Sequence, residues 1–204
     1  DALGRRVSKT VNGVATQYLY DRQNVTQELQ SGTIVATYVR SLSIDEPFIR
    51  QSGSNEYYHA DHMGSILALS NATGSVMTSY NYEPFGKSTV TGMSSNIFQY
   101  AGRENDGTGL MYYRARYYGP TLQRFLGEDP IGISGGDINL YTYVRNNPVN
   151  IVDPDGNQIR PFPPGWFPKG PPPPLNIRPK DPQLYRPLQP QQMPSGEEFI
   201  PKTP

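Results

Sequence analysis

Between Arg5 and about Phe98, apolar and polar positions alternate with period two, as in Thr16-Gln17-Tyr18-Leu19-Tyr20-Asp21 and Ser79-Tyr80-Asn81-Tyr82. Successive side chains of a strand point to opposite faces, so this pattern predicts strands with one buried face. The runs are interrupted at Asn12-Gly13, Ser31-Gly32 and Thr73-Gly74. A polar residue followed by glycine is a hairpin signal, because a tight turn needs positive φ and glycine has no Cβ to obstruct it. This half of the chain therefore reads as a β-meander. No stretch of about 12 residues sustains apolar positions at i, i+3, i+4 and i+7 behind a capping box, so no helix is expected.

Composition sharpens the picture. Fifteen tyrosines stand beside seven phenylalanines and one tryptophan, with 20 glycines. Tyrosine suits a strand that shows its ring to a core and its hydroxyl to water. At 204 residues the chain has room for one domain, or one domain and a tail. Eighteen basic residues balance eighteen acidic ones, which gives no electrostatic reason to expect a nucleic acid or an anionic membrane as partner. The absence of cysteine excludes disulfides and thiolate metal sites. There is no apolar run long enough to span a membrane and no charged-then-apolar leader, so export would be encoded outside these residues.

After Gly156 the composition changes abruptly, since 15 of the 21 prolines lie in residues 157–204. Proline fixes φ and lacks the N–H, so this segment reads as polyproline II and loops. With no core of its own, it is expected to lie against a tyrosine-rich surface of its own or a neighbouring subunit. Phe162, Trp166, Phe167, Tyr185 and Phe199 are the candidate anchors.

Two Asp-Pro-x-Gly boxes, Asp129–Gly132 and Asp153–Gly156, are the candidate chemistry. As local structure each is a favourable turn: aspartate caps it, proline presets φ and glycine takes the unusual angles. As a site, two carboxylates brought together can divide the labour of an aspartyl protease, one acting as base toward water and the other as acid. His59 and His62, in His-Ala-Asp-His, lack a third ligand, and no metal or cofactor is expected. Arg114, Arg116, Arg124 and Arg145 are interleaved with acids and form no polyanion footprint.

The segment from Phe98 to Gly156, with FQYAGRENDGTGLMYYRARYYGPTLQRFLGEDP followed by NLYTYVRNNPVNIVDPDG, closely resembles the core of RHS-repeat (YD-repeat) proteins. QYLYDRQNVTQEL at 17–29 and SYNYEPFGKSTV at 79–90 resemble copies of the YD repeat, and the resemblance spans roughly residues 5–156. It implies an all-β fold: a YD-repeat strand region at 1–97, an RHS-repeat-associated core at 98–156, and the proline-rich tail at 157–204. Each repeat must stack on neighbours to bury its face, so further repeats upstream, or another chain, are expected to cover the open edge.

In Tc-toxin C subunits and RHS effectors, the matching aspartates, with an arginine thirteen positions before the first, support self-cleavage just after the second box. The resemblance thus implies catalytic roles for Asp129 and Asp153, with Arg116 at the matching spacing, and a cleavage site at Gly156 and Asn157. The family usually has leucine where this chain has Asn157, which removes an apolar contact worth about 1–3 kcal/mol of discrimination. The tail contains neither histidine nor cysteine and shows no recognisable toxin catalytic set. The expectation is a structural shell or assembly module, secreted or on a bacterial surface, that associates with itself or other protein subunits. A single-turnover autoprotease that releases the tail is the second reading.

Overall fold

The computed structural model describes residues 1–157 and 159–161, all within one compact unit. The anchors Phe162, Trp166, Phe167, Tyr185 and Phe199 lie outside the described residues.

Nine antiparallel strands form one sheet in sequence order: β1 (Ser8–Val11), β2 (Val14–Asp21), β3 (Asn24–Gln30), β4 (Thr33–Arg40), β5 (Pro47–Ser52), β6 (Ser54–Ala60), β7 (Ile66–Ser70), β8 (Val76–Tyr82) and β9 (Ser88–Gly92). The meander expected from the alternation is therefore present. Asn12-Gly13 and Ser31-Gly32 turn the chain with φ of 51 and 81, and 50 and 77 degrees. The segments after β6, β7 and β8 share a loop in which the first residue, Asp61, Asn71 or Glu83, accepts the N–H of a glycine three positions on. Asp61 caps its loop by accepting the N–H groups of Met63 and Ser65, each at 2.8 Å. His59 bonds Ser70 at 2.8 Å, so the histidine motif serves strand and turn, and the described residues contain no metal-like cluster.

The buried face of this sheet carries Tyr18, Val25, Ala36, Tyr38, Leu69 and Tyr80. The segment from Ser94 to Asp106 crosses it as a strap. Ser94 and Ser95 bond Glu56 and Arg50, and Asn96 bonds the hydroxyls of Tyr58 and Tyr80. Phe98 packs edge-on to Tyr38 with ring centres 5.0 Å apart. At the far end Arg6, before β1, pairs with Glu104 at 2.5 Å and Asp106 at 2.6 Å. The strap therefore ties β1 to β8, and it carries polar partners because the tyrosine hydroxyls beneath it need them.

A second, smaller sheet follows: β10 (Glu104–Asn105), β11 (Met111–Tyr113), β12 (Arg116–Gly119) and β13 (Arg124–Phe125). It rests on an aromatic cluster in which Tyr113, Tyr118, Phe125 and Tyr143 are all but inaccessible. The rings of Tyr118 and Tyr143 lie 4.4 Å apart, and the hydroxyls of Tyr113 and Tyr143 satisfy each other at 3.1 Å. Finally β14 (Ile151–Val152) pairs with β15 (Arg160–Pro161). Their pairing brings the chain back beside β14 after the second Asp-Pro-x-Gly box, which directly follows β14.

Candidate active site: two boxes on one arginine

Strand β12 starts at Arg116, and its guanidinium stacks on the Phe125 ring at 3.6 Å. The ring comes from paired strand β13 and belongs to the aromatic cluster, so Arg116 is held on a rigid base. From there it reaches four places. Nη1 donates to Leu140 O at 2.9 Å and Nε donates to the Gly156 carbonyl. Nη2 meets Asp129 Oδ2 at 2.9 Å and Asp153 Oδ2 at 3.5 Å. Thus Asp129, Asp153 and Arg116, distant in sequence, converge, and their side chains are 10, 2 and 5% exposed. Burial pushes the Arg116 guanidinium below its ordinary value, against the upward pull of Asp129 and then Asp153.

Each box uses its aspartate twice. Asp129 Oδ1 accepts the Ile131 N–H at 3.0 Å, and its main-chain oxygen accepts that of Gly132 at 2.9 Å. Asp153 Oδ1 accepts the N–H of Gly156 at 2.8 Å and of Asn157 at 3.1 Å. In both boxes Oδ1 closes the turn and Oδ2 faces the arginine. The turn reading and the site reading of Asp-Pro-x-Gly are therefore compatible, because a carboxylate has acceptor capacity for both.

Gly135 shapes the remaining wall. A Cβ there would lie 2.7 Å from Asp129 Oδ2 and 3.4 Å from the Asn157 carbonyl oxygen, so both groups border the space that glycine leaves open. Between them is a cavity of about 20 Å³ lined by Arg116, Asp129, Gly135, Asp153 and Asn157, among others. That is room for about one water molecule.

Sequence reasoning missed the groups that hold the second box. The two-residue turn Arg114–Ala115 between β11 and β12 runs beside it, with Arg114 at φ 60 degrees. Ala115 N–H bonds Asp155 O at 3.2 Å, and Arg103 and Arg114 both donate to Pro154 O. The signal available was the Arg-Ala-Arg triplet itself: one arginine sits in a hairpin turn and the other opens the next strand, where both can point to one side.

A long antiparallel meander strapped by its own continuation, with paired Asp-Pro-x-Gly boxes behind it, defines a YD-repeat shell protein. The family model described as teneurin YD-shell matches residues 1–149, and the chain belongs to that family. The tRNA(Glu)-specific nuclease WapA of Bacillus subtilis subsp. natto (strain BEST195) is 38% identical over 82% of this chain and 7% of its own length. Toxin subunit YenC2 of Yersinia entomophaga is 44% identical over 41% of this chain and 9% of its own. Among solved structures, TcdB2-TccC3-TEV superposes with a TM-score of 0.61 at 25% identity, over 75% of this chain and 8% of that one. The Photorhabdus luminescens Tc holotoxin pore gives 0.55 at 25% identity, over 75% and 8%. The chain thus spans less than a tenth of the length of these relatives.

Proposed function

We propose that this chain forms the closing end of an RHS-type shell and carries an intramolecular aspartyl protease that cuts after Asn157. The observation that carries this is the convergence of Arg116, Asp129 and Asp153 on the box tip. Arg116 and Asp153 fix the backbone through the Gly156 carbonyl and the Asn157 N–H, and the next carbonyl, that of Asn157, borders the one-water cavity with Asp129. The reaction calls for one proton on the two aspartates, which makes the group formed with Arg116 neutral. One carboxylate takes a proton from water as the hydroxyl adds to the Asn157 carbonyl carbon. The protonated partner then gives its proton to the departing nitrogen of residue 158, and the C–N bond breaks to leave an acid and an amine. The substrate is already in place, so orientation supplies much of the acceleration.

The same proposal assigns residues 1–97 to shell repeats, 98–156 to the core with its protease, and 157–204 to the released or retained segment. It makes the whole protein an exported one that assembles with other subunits, as the TcdB2-TccC3 pairing of the similar solved structures suggests by analogy. A second reading, retention of the cut tail, is favoured by the β14–β15 pairing, which holds Arg160–Pro161 on Ile151–Val152 across the cut. Intact mass spectrometry tests both. The wild-type chain is expected to yield a fragment ending at Asn157, whereas Asp129→Asn stays whole; a wild type that never splits refutes self-cleavage. Gel filtration of the cut sample decides retention, since a tail that elutes apart from the shell refutes docking.

A further inference from the structure

The hold on the Pro154 carbonyl leads away from the site. Arg103 Nη1 reaches that oxygen at 2.7 Å and Arg114 Nη1 binds it too. Both guanidiniums also grip Asp45: Arg103 Nη2 bonds Oδ1, while Arg114 Nη2 bonds Oδ1 at 2.6 Å and Nη1 bonds Oδ2 at 3.1 Å. Asp45 belongs to the connection between β4 and β5 in the large sheet. Its backbone is fixed in the left-handed region at φ 65 degrees, and its carbonyl oxygen lies where a Cβ on Gly102 would come within 2.8 Å.

Charge explains why the contact matters. The side chains of Arg103 and Arg114 are 2 and 17% exposed, and that of Asp45 is 10% exposed. Two adjacent buried cations repel each other unless an anion sits between them, and Asp45 is placed there; Asp155 is farther off, 3.9 Å from Arg114. Without the Asp45 charge, the pair has reason to separate toward water and leave the Pro154 carbonyl. Asp153 directly precedes Pro154, and Asn157 follows it three positions on.

We propose that Asp45 is a positioning residue for the self-cleavage, holding Arg103 and Arg114 on the second box so that the cleavage loop is set only when the β4–β5 connection has formed. The inference deepens the self-cleavage reading and rests on it. Its consequence is an ordering device: the β4–β5 part of the large sheet is in place before the chain can cut itself.

The test places Asp45→Ala, Asp45→Asn and Asp45→Glu in the full chain, with and without Asp129→Asn, which keeps the chain whole for amide exchange by NMR. Asp45→Ala and Asp45→Asn are expected to lower protection of the Gly156 and Asn157 amides by about tenfold or more while the β2–β4 amides keep theirs. Asp45→Glu should restore part of it. With Asp129 intact, the first-order cut should slow in the same order. Unchanged protection at Gly156 and Asn157 overturns the proposal. So does equal loss throughout the sheet in both Asp45→Ala and the isosteric Asp45→Asn, because the role would then be general stability. A wild type that never cuts, alongside selective loss of protection, refutes self-cleavage and leaves the anchoring by Asp45 standing.

Discussion

Replacing Gly156 by alanine tests the geometry of the second box most directly. Gly156 has φ of 74 degrees, and a Cβ there would lie 2.1 Å from the Tyr113 carbonyl oxygen. The left-handed conformation costs a non-glycine residue about 1–2 kcal/mol. The clash is with backbone, which no rotamer change can move, so the box must lift away from β11. Lifting breaks the bonds of the Gly156 and Asn157 N–H groups to Asp153 and of Arg116 to the Gly156 carbonyl. Bonds to charged groups are worth about 1.5–3 kcal/mol each net of water, so losing the equivalent of one or two of them on top of the strain puts the cost at roughly 4 kcal/mol. For a domain of this size that lowers the melting temperature by about 8–16 °C. Gly107→Ala is the control, since Gly107 has φ of 75 degrees with nothing within 4 Å of its Cβ position. It should cost only the conformational strain. Thermal unfolding followed by circular dichroism measures both, and a Gly156→Ala chain melting no lower than Gly107→Ala would refute the tight seating of the box against Tyr113.

The remaining predictions concern the core and pH. Phe98→Ala removes a ring that is 1% exposed beneath the strap, and should cost about 3–5 kcal/mol in guanidinium titrations. A change under 1 kcal/mol would mean that the strap does not pack the sheet. Burial pushes the Tyr38, Tyr113 and Tyr143 hydroxyls well above their ordinary value. The unfolded chain loses these protons near pH 10, whereas the folded one keeps them. Stability is therefore full below about pH 10 and falls above it by about 1.4 kcal/mol per pH unit for each tyrosine. Urea midpoints that match at pH 8 and pH 11 would contradict this.

Much of the site was legible because it is written in short words. Asp-Pro-x-Gly names both a turn and a pair of acids, and the resemblance to RHS-repeat cores, with their arginine thirteen positions before the first aspartate, implied Arg116. Asp45 was not legible, because one aspartate in a loop resembles any other until two arginines from distant segments close on it. The same holds for the strap: nothing in the sequence singles out Asn96 and Ser95, yet each satisfies a buried partner on the large sheet. The histidine pair shows the opposite case, in which a motif with chemical promise resolves into a strand contact at His59 and a loop capped by Asp61.

By itself the sequence determined much of the local order: strands where polar and apolar residues alternate along the first half of the chain, and turns at Asn12-Gly13 and Ser31-Gly32. Those features depend on neighbours along the chain, so sequence is enough to read them. Only the tertiary structure decided that β12 carries its arginine to both boxes, that Gly135 leaves space for a water beside Asp129, and that Asp45 is tied through Arg103 and Arg114 to the second Asp-Pro-x-Gly box. Such contacts join residues tens of positions apart, and they are fixed by how sheets and aromatic clusters pack in three dimensions, where burial turns a few charges into a defined constellation.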